Sequence, residues 1–464
     1  MIKKFTSVLV LLTSIFFSAQ NVNFDDIELK SYLLNATPTN YRAMDMAGLW
    51  CKVDTNSDGE IQLSEAQNIS TVTIQQSLVK KIGGLENFTN LTELNISSNV
   101  MLALDLTPLP TLKKVGVSDC FALSSLNLTG VPALERLYIS NVDKLKVIDL
   151  KTNTLLKHVS WTGLFTSTDF SGNLNLEEAW LSSPNLVQLD FSANPKFKFL
   201  RLYQDKLSQL SFQNNPALEN LYLQNTAITV LDLSLNSALT ELEIYGVVLA
   251  NLELPGNSAL MSLKLNGSQV QQIDVSKQIA LTSLKMTGNK LESLNVDQNV
   301  NLENVQVWNE AKIKTLDFSR QTKLDYLWFD QLANLEKLIT KNGRTQNFVE
   351  SYVNCPKLTD VCCDESEKAF FVSKNVPNVT TDCILGTFEP QLANRLPFAP
   401  NPAIDQITFS LKPDEVKVYS TDGKLVISRK PAGNSIDVST LKTGTYFLEI
   451  RSADRTYRQK LIKK

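Results

Sequence analysis

Leu281–Asn301 reads LTSLKMTGNKLESLNVDQNVN, with apolar residues at positions 1, 4, 6, 11, 14 and 16 and asparagines at 9 and 19. The same sentence is written along most of the chain. Its first slot returns as Leu91, Leu112, Leu134, Leu156, Leu176, Phe197, Leu218, Leu239, Leu260, Leu281, Leu302 and Leu324, at spacings of 20 to 22 residues. One copy cannot bury its own apolar side, but stacked copies share a continuous core, so the turns of such a coil stand or fall together.

A fixed period in the twenties with this pattern is the signature of the leucine-rich repeat. The expected fold over residues 86–340 is therefore a leucine-rich-repeat solenoid of about twelve turns, a usual way for 464 residues to escape the size limit on a single core. Within each turn, positions 3, 5 and 7 flank the buried 4 and 6 on a short strand, so alternation points them outward. In leucine-rich repeats these strands form a parallel sheet on the concave side. The outward set includes Arg136, Tyr138, Trp180, Arg201, Tyr203, Tyr222, Tyr245, Trp308, Tyr326 and Trp328. Three of the five tryptophans and five of the eleven tyrosines fall on these columns, although Ser262, Lys264, Ser283 and Lys285 show that small or charged residues serve there equally well. Aromatics beside arginine combine area with a polar tip, which favours a recognition surface over strand propensity alone.

A second edge, positions 14 to 16, carries acids at Asp105, Asp149, Asp169, Asp190, Asp232, Glu253, Asp274 and Asp317. A strand is expected there. A serine follows two residues after Asp190, Asp232, Asp274 and Asp317, which predicts local side-chain hydrogen bonds at a turn rather than a ladder of calcium ions.

Residues 1–20 read as a secretory signal: Lys3 and Lys4, an apolar run from Val8 to Phe17, then Ser18 and Ala19. That run falls short of the ~20 residues needed to span a bilayer, and no later segment is long enough, so the mature chain is expected to lack a transmembrane segment. Residues 21–85 form an N-terminal cap. Asn23–Leu34 has helical spacing with Asp25 and Asp26 at its start.

The sharpest chemical motif is DTNSDGEIQLSE, residues 54–65, which follows the EF-hand calcium-loop rule. Asp54, Asn56 and Asp58 offer side-chain oxygens, Gly59 makes the sharp turn, Glu60 offers its backbone carbonyl, Gln62 stands at position 9 and Glu65 closes the set. One structural Ca²⁺ is the expected ion, the alternative being an empty acidic turn. Extracellular modules hold calcium with a Kd of roughly 10⁻⁴ to 10⁻³ M. The stretch from Phe24 to Leu94, with Asp54 to Ala66 followed by Gly84 to Leu94, resembles the N-terminal portion of secreted leucine-rich-repeat proteins of Bacteroidetes-type bacteria.

Beyond the repeats, residues 341–384 form an irregular C-cap bearing Cys355, Cys362, Cys363 and Cys383. Of the pairings open to them, a bridge from Cys362 or Cys363 to Cys383 is preferred, because adjacent cysteines rarely bridge each other. Cys120 occupies slot 9 of its turn and is expected to be a free, buried thiol. Residues 385–396 read as a linker.

Residues 397–464 alternate strand candidates with turn residues and read as a small β-sandwich. Pro400–Ala403, Val416–Tyr419 leading to Gly423–Val426, Ile436–Ser439 with Leu441, Gly444–Leu448 and Lys460–Lys464 closely resemble the type A C-terminal sorting domain of the type IX (Por) secretion system. The resemblance implies a partner in that machinery, recognition at the outer membrane, and release or surface attachment of the cargo. Localisation follows: extracellular or on the outer-membrane surface.

A formal charge of −3 offers no basic footprint for nucleic acid, and one histidine, His158, excludes any histidine cluster on zinc. No nucleophile elbow, metalloprotease helix, phosphate loop or dinucleotide fingerprint appears, so an enzyme is not expected. The acids are spread evenly, which argues against a carboxylate pair for glycan cleavage. The expected function is capture of a protein or polysaccharide on the repeat face. The alternative is an adhesive spacer of ~58 Å without a specific ligand.

Overall fold

The computed structural model describes residues 20–249, 251–346, 354–383, 398–421, 424–452 and 455–464. The secretory signal and the linker 385–396 lie outside them, apart from Gln20. The chain divides into two compact units, one through Cys383 and one from Ile384.

The first unit is the solenoid. All twelve first-slot residues, from Leu91 to Leu324, are fully buried. Five-residue strands follow them, from Glu93–Ser97 to Tyr326–Asp330, and pair in parallel and in register, so Leu200, Leu221, Leu242 and Leu263 sit side by side. Because each turn repeats nearly one length, equivalent side chains stack on like neighbours, and the pattern of buried 4 and 6 with outward 3, 5 and 7 runs along the sheet, except that Thr287 and Asp330 at position 7 are buried. The sheet has fourteen strands, not twelve, because the cap adds two at its N-terminal edge. Ile69–Gln75 continues the parallel ladder, and Ala43–Asp45 runs antiparallel against it, finishing the edge.

The cap helix is shorter than its sequence pattern, Ile27–Leu34, because the Asp26 side chain accepts from the Glu28 N–H and fixes the start there.

The second edge departs from expectation. Among the described residues its strands form only towards the two ends of the coil: Ala103–Asp105 with Ser125–Asn127, and Thr315–Asp317 with Lys337–Ile339. The C-cap extends the latter pair with Asp360–Cys362 and Asn378–Thr380. In the turns between, backbone groups are held by a buried column of amides. Asn153, Asn173, Asn194, Asn215, Asn236, Asn257, Gln278, Asn299 and Gln321 each stand three residues before the next turn's first slot, all essentially buried. The Nδ2 of Asn236 donates to the Phe212 carbonyl at 3.0 Å and to the Asn215 carbonyl at 2.8 Å, and Asn257 repeats the contact one turn on. The acids on this edge bond locally, as their spacing predicts: Asp190, Asp232, Asp274 and Asp317 each accept from the N–H two residues on.

Cys362 and Cys383 form a disulfide, and Cys363 and Cys355 are free and buried. Cys120 is a buried thiol donating to the Ser118 carbonyl at 3.3 Å. The second unit packs a three-stranded antiparallel sheet and a four-stranded one around Phe409, Val416, Val418, Ile436, Leu448 and Leu461. It is the expected β-sandwich.

Candidate ligand-binding face and acidic loop

The outward columns of the long sheet bring most of the predicted residues into two islands. In the larger, rings follow one another across six strands. Tyr138 lies 5.0 Å from His158, His158 6.0 Å from Trp180, and Trp180 5.7 Å from Phe199. Tyr203 lies 5.0 Å from Tyr222, and Tyr222 5.3 Å from Tyr245. Arg201 joins the halves: its guanidinium sits 5.0 Å from the Trp180 ring, 5.3 Å from Phe199 and 5.7 Å from Tyr222. The parallel register explains the contact, since Arg201 pairs with Trp180 on one side and Tyr222 on the other. Trp180 is 41% exposed and Arg136 is exposed, while the other members are half-buried by one another.

The second island is Trp308 stacked on Trp328, centroids 6.2 Å apart, with Tyr326 on the same strand as Trp328. Two strands carrying Ser262, Lys264, Ser283 and Lys285 separate the islands. On the other flank, towards the N-terminus, Tyr138 borders a trough of about 380 Å³ lined by Gln75, Asn95 and a row of hydroxyls, Ser97, Ser118, Ser140 and Thr162. No charged side chain lines it.

His158 and Phe199 were not among the predicted face residues, yet both link the larger island. They occupy position 3 of their turns, so the column rule that found Arg136 could have found them too. Two carboxylates beside the island are engaged. Glu178 is bonded to His158 Nδ1 at 2.9 Å, and Glu243 to Lys264 at 2.7 Å and to the Tyr245 hydroxyl at 3.2 Å. Burial pushes the Tyr245 phenol well above its usual range, with the Glu243 charge adding to it.

The acidic loop closes on itself, with Ser57 and Gly59 in the left-handed region at φ 59° and 81°. Asp54 accepts from the Gly59 N–H at 3.0 Å, Asn56 from Asp58 at 2.9 Å, and Asp58 from Glu60 at 2.9 Å. That last bond is the main reason the Asp58 carboxyl lies below the usual range. Gln62 Nε2 donates to Asp58 at 2.8 Å. Glu65 latches the loop, accepting from the Thr55 and Gln62 N–H groups at 2.7 and 3.0 Å. The Glu60 side chain is held by Lys30 at 2.7 Å, leaving the backbone carbonyl as its offering to an ion. Among the described residues no three acidic, histidine or cysteine groups are clustered as metal ligands; these side chains face the loop's own donors. Asp54 and Glu65 are nevertheless buried, and among the described residues neither has a basic partner.

Residues 398–464 match the family described as the secretion system C-terminal sorting domain. That domain directs the chain through the type IX system to the cell surface or beyond. No helix among the described residues is long and apolar enough to cross a membrane. No curated protein matches the chain. Among solved structures, the chain is similar to the functional domain of InlJ from Listeria monocytogenes, described as including a cysteine ladder, at 17% identity and TM-score 0.46 over 96% of this chain and 98% of that one. It is also similar to the internalin InlF of the same organism, at 17% identity and TM-score 0.45 over 75% of this chain and 98% of that one.

Proposed function

We propose that this is a secreted or cell-surface binding protein that captures a protein or a polysaccharide on the aromatic ridge of its long sheet. The observation that carries this reading is the run of ring and guanidinium contacts from Tyr138 to Tyr245, spanning roughly 24 Å across six strands. Such side chains bring large, rigid area with polar tips, which suits recognition. The neighbouring acids are tied to His158, Lys264 and Tyr245, an arrangement that favours binding over catalysis. Replacing Trp180, Tyr203 and Tyr222 together by alanine is expected to abolish capture in a glycan and protein array screen while leaving the melting temperature nearly unchanged. Undiminished capture by that variant would make the coil a spacer.

We further propose that the loop 54–65 holds one structural Ca²⁺. Asp54, Asn56, Asp58, the Glu60 carbonyl, Gln62 and Glu65 would hold it, and the ion would supply the positive charge that buried Asp54 and Glu65 otherwise lack. Ca²⁺ tenfold above its Kd should stabilise the fold by about 1.4 kcal/mol, raising the melting temperature, and Glu65→Gln should remove the response. A wild-type melt indifferent to Ca²⁺ means the loop is an acidic turn.

A further inference from the structure

The larger island contains a charge with no counterpart. Arg201 lies among Trp180, Phe199 and Tyr222. Its Nε is buried without a hydrogen-bond partner, and among the described residues it has no carboxylate partner. Its acidic neighbours on the sheet are already committed, Glu178 to His158 and Glu243 to Lys264. A guanidinium flanked by rings keeps its plane fixed, and with Nε buried its two Nη groups form the edge that can grip a planar carboxylate by two parallel hydrogen bonds.

The surroundings say what carries that carboxylate. Rings on both sides of Arg201 offer flat faces for the C–H faces of sugars. Beyond Tyr138 the face continues into the uncharged trough of hydroxyls and amides, which suits a chain of sugar hydroxyls. The trough's hydroxyls and amides differ from the enclosed apolar pocket that anchors a peptide side chain.

We propose that Arg201 receives the carboxylate of a uronic-acid residue in an acidic polysaccharide, whose sugar rings lie on Trp180 and Tyr222 and whose chain runs past Tyr138 into the trough. This assignment rests on the sheet face being the capture surface.

The test is calorimetric titration of the full chain with three polymers: polygalacturonate, its methyl ester and poly-glutamate. Polygalacturonate should bind, more weakly as salt is raised. The methyl ester, and polygalacturonate against Arg201→Gln, should bind roughly 10- to 100-fold more weakly. Arg201→Lys, which keeps the charge and loses the fork, should fall between. Equal binding of the ester overturns the proposal, as does an unaffected Arg201→Gln. Failure of the wild type to bind polygalacturonate also overturns it. Equally tight binding of poly-glutamate with the same dependence on Arg201 assigns the face to acidic peptides instead. The alanine triple variant separates the two levels: if it loses array capture while Arg201→Gln keeps it, the face stands and the acidic-glycan assignment falls.

Discussion

Asp205 shows how much one slot of the repeat can ask of a side chain. In three other turns slot 9 donates to the carbonyl of slot 6 one turn earlier: Asn99 to Ile74, Ser268 to Ile244, Asn289 to Leu265. Ionised aspartate has no proton to donate. Asp205 is buried, accepts from the Leu207 N–H at 2.8 Å, and leaves Oδ2 without a partner. Burial accordingly pushes its carboxyl up to about 6. Its folded value lies above the unfolded one, so the folded state binds the proton more tightly. Stability is therefore expected to fall as pH rises from about 4 to 6 and to level off above. Asp205→Asn restores a donor without the charge; it should raise the melting temperature at pH 7 to 8 and change it little near pH 4. A variant no more stable than wild type at pH 8 would show that the buried charge costs nothing. The sequence placed Asp205 in its slot, but only the burial around it reveals the misfit.

The amide column is the element that the period announces and the fold explains. The place three residues before the next turn's first slot holds asparagine or glutamine in nine successive turns, visible in the sequence as a recurring letter with no assigned task. Stacking gives it one: each side chain reaches carbonyls of its neighbouring turn, where the second edge has no ladder of its own. Asn236→Ala should cost roughly 1 to 3 kcal/mol in denaturant unfolding, because it removes two buried hydrogen bonds and leaves the Phe212 and Asn215 carbonyls with only the Asn215 and Leu218 N–H groups. A loss below about 0.5 kcal/mol would mean that the column fills space only. The second edge illustrates the opposite relation. Acid and serine spacing foretold its local turns correctly, yet whether three residues there pair as a strand depends on what the adjoining turn and the cap present. Composition along one turn does not contain that information.

Across the whole molecule, the solenoid and the C-terminal sandwich have cores with no residue in common. A chain ending at Cys383 should therefore keep the melting behaviour of the solenoid but remain in the periplasm when cells are fractionated and probed by immunoblot; its appearance at the surface would show that export does not need residues 398–464. The sequence alone determined the coil, its register, the outward columns and the sorting domain, since each is written as a period or a local motif and periodic packing has one economical solution. It could not determine which outward side chains meet. Tyr138, His158, Trp180, Arg201 and Tyr222 are separated in the chain by about a turn each, and their contacts exist only because parallel strands set like positions side by side. The same holds for charge. Whether Arg201, Glu178 or Glu243 is paired depends on the side chain one strand away, and that distance belongs to the tertiary structure.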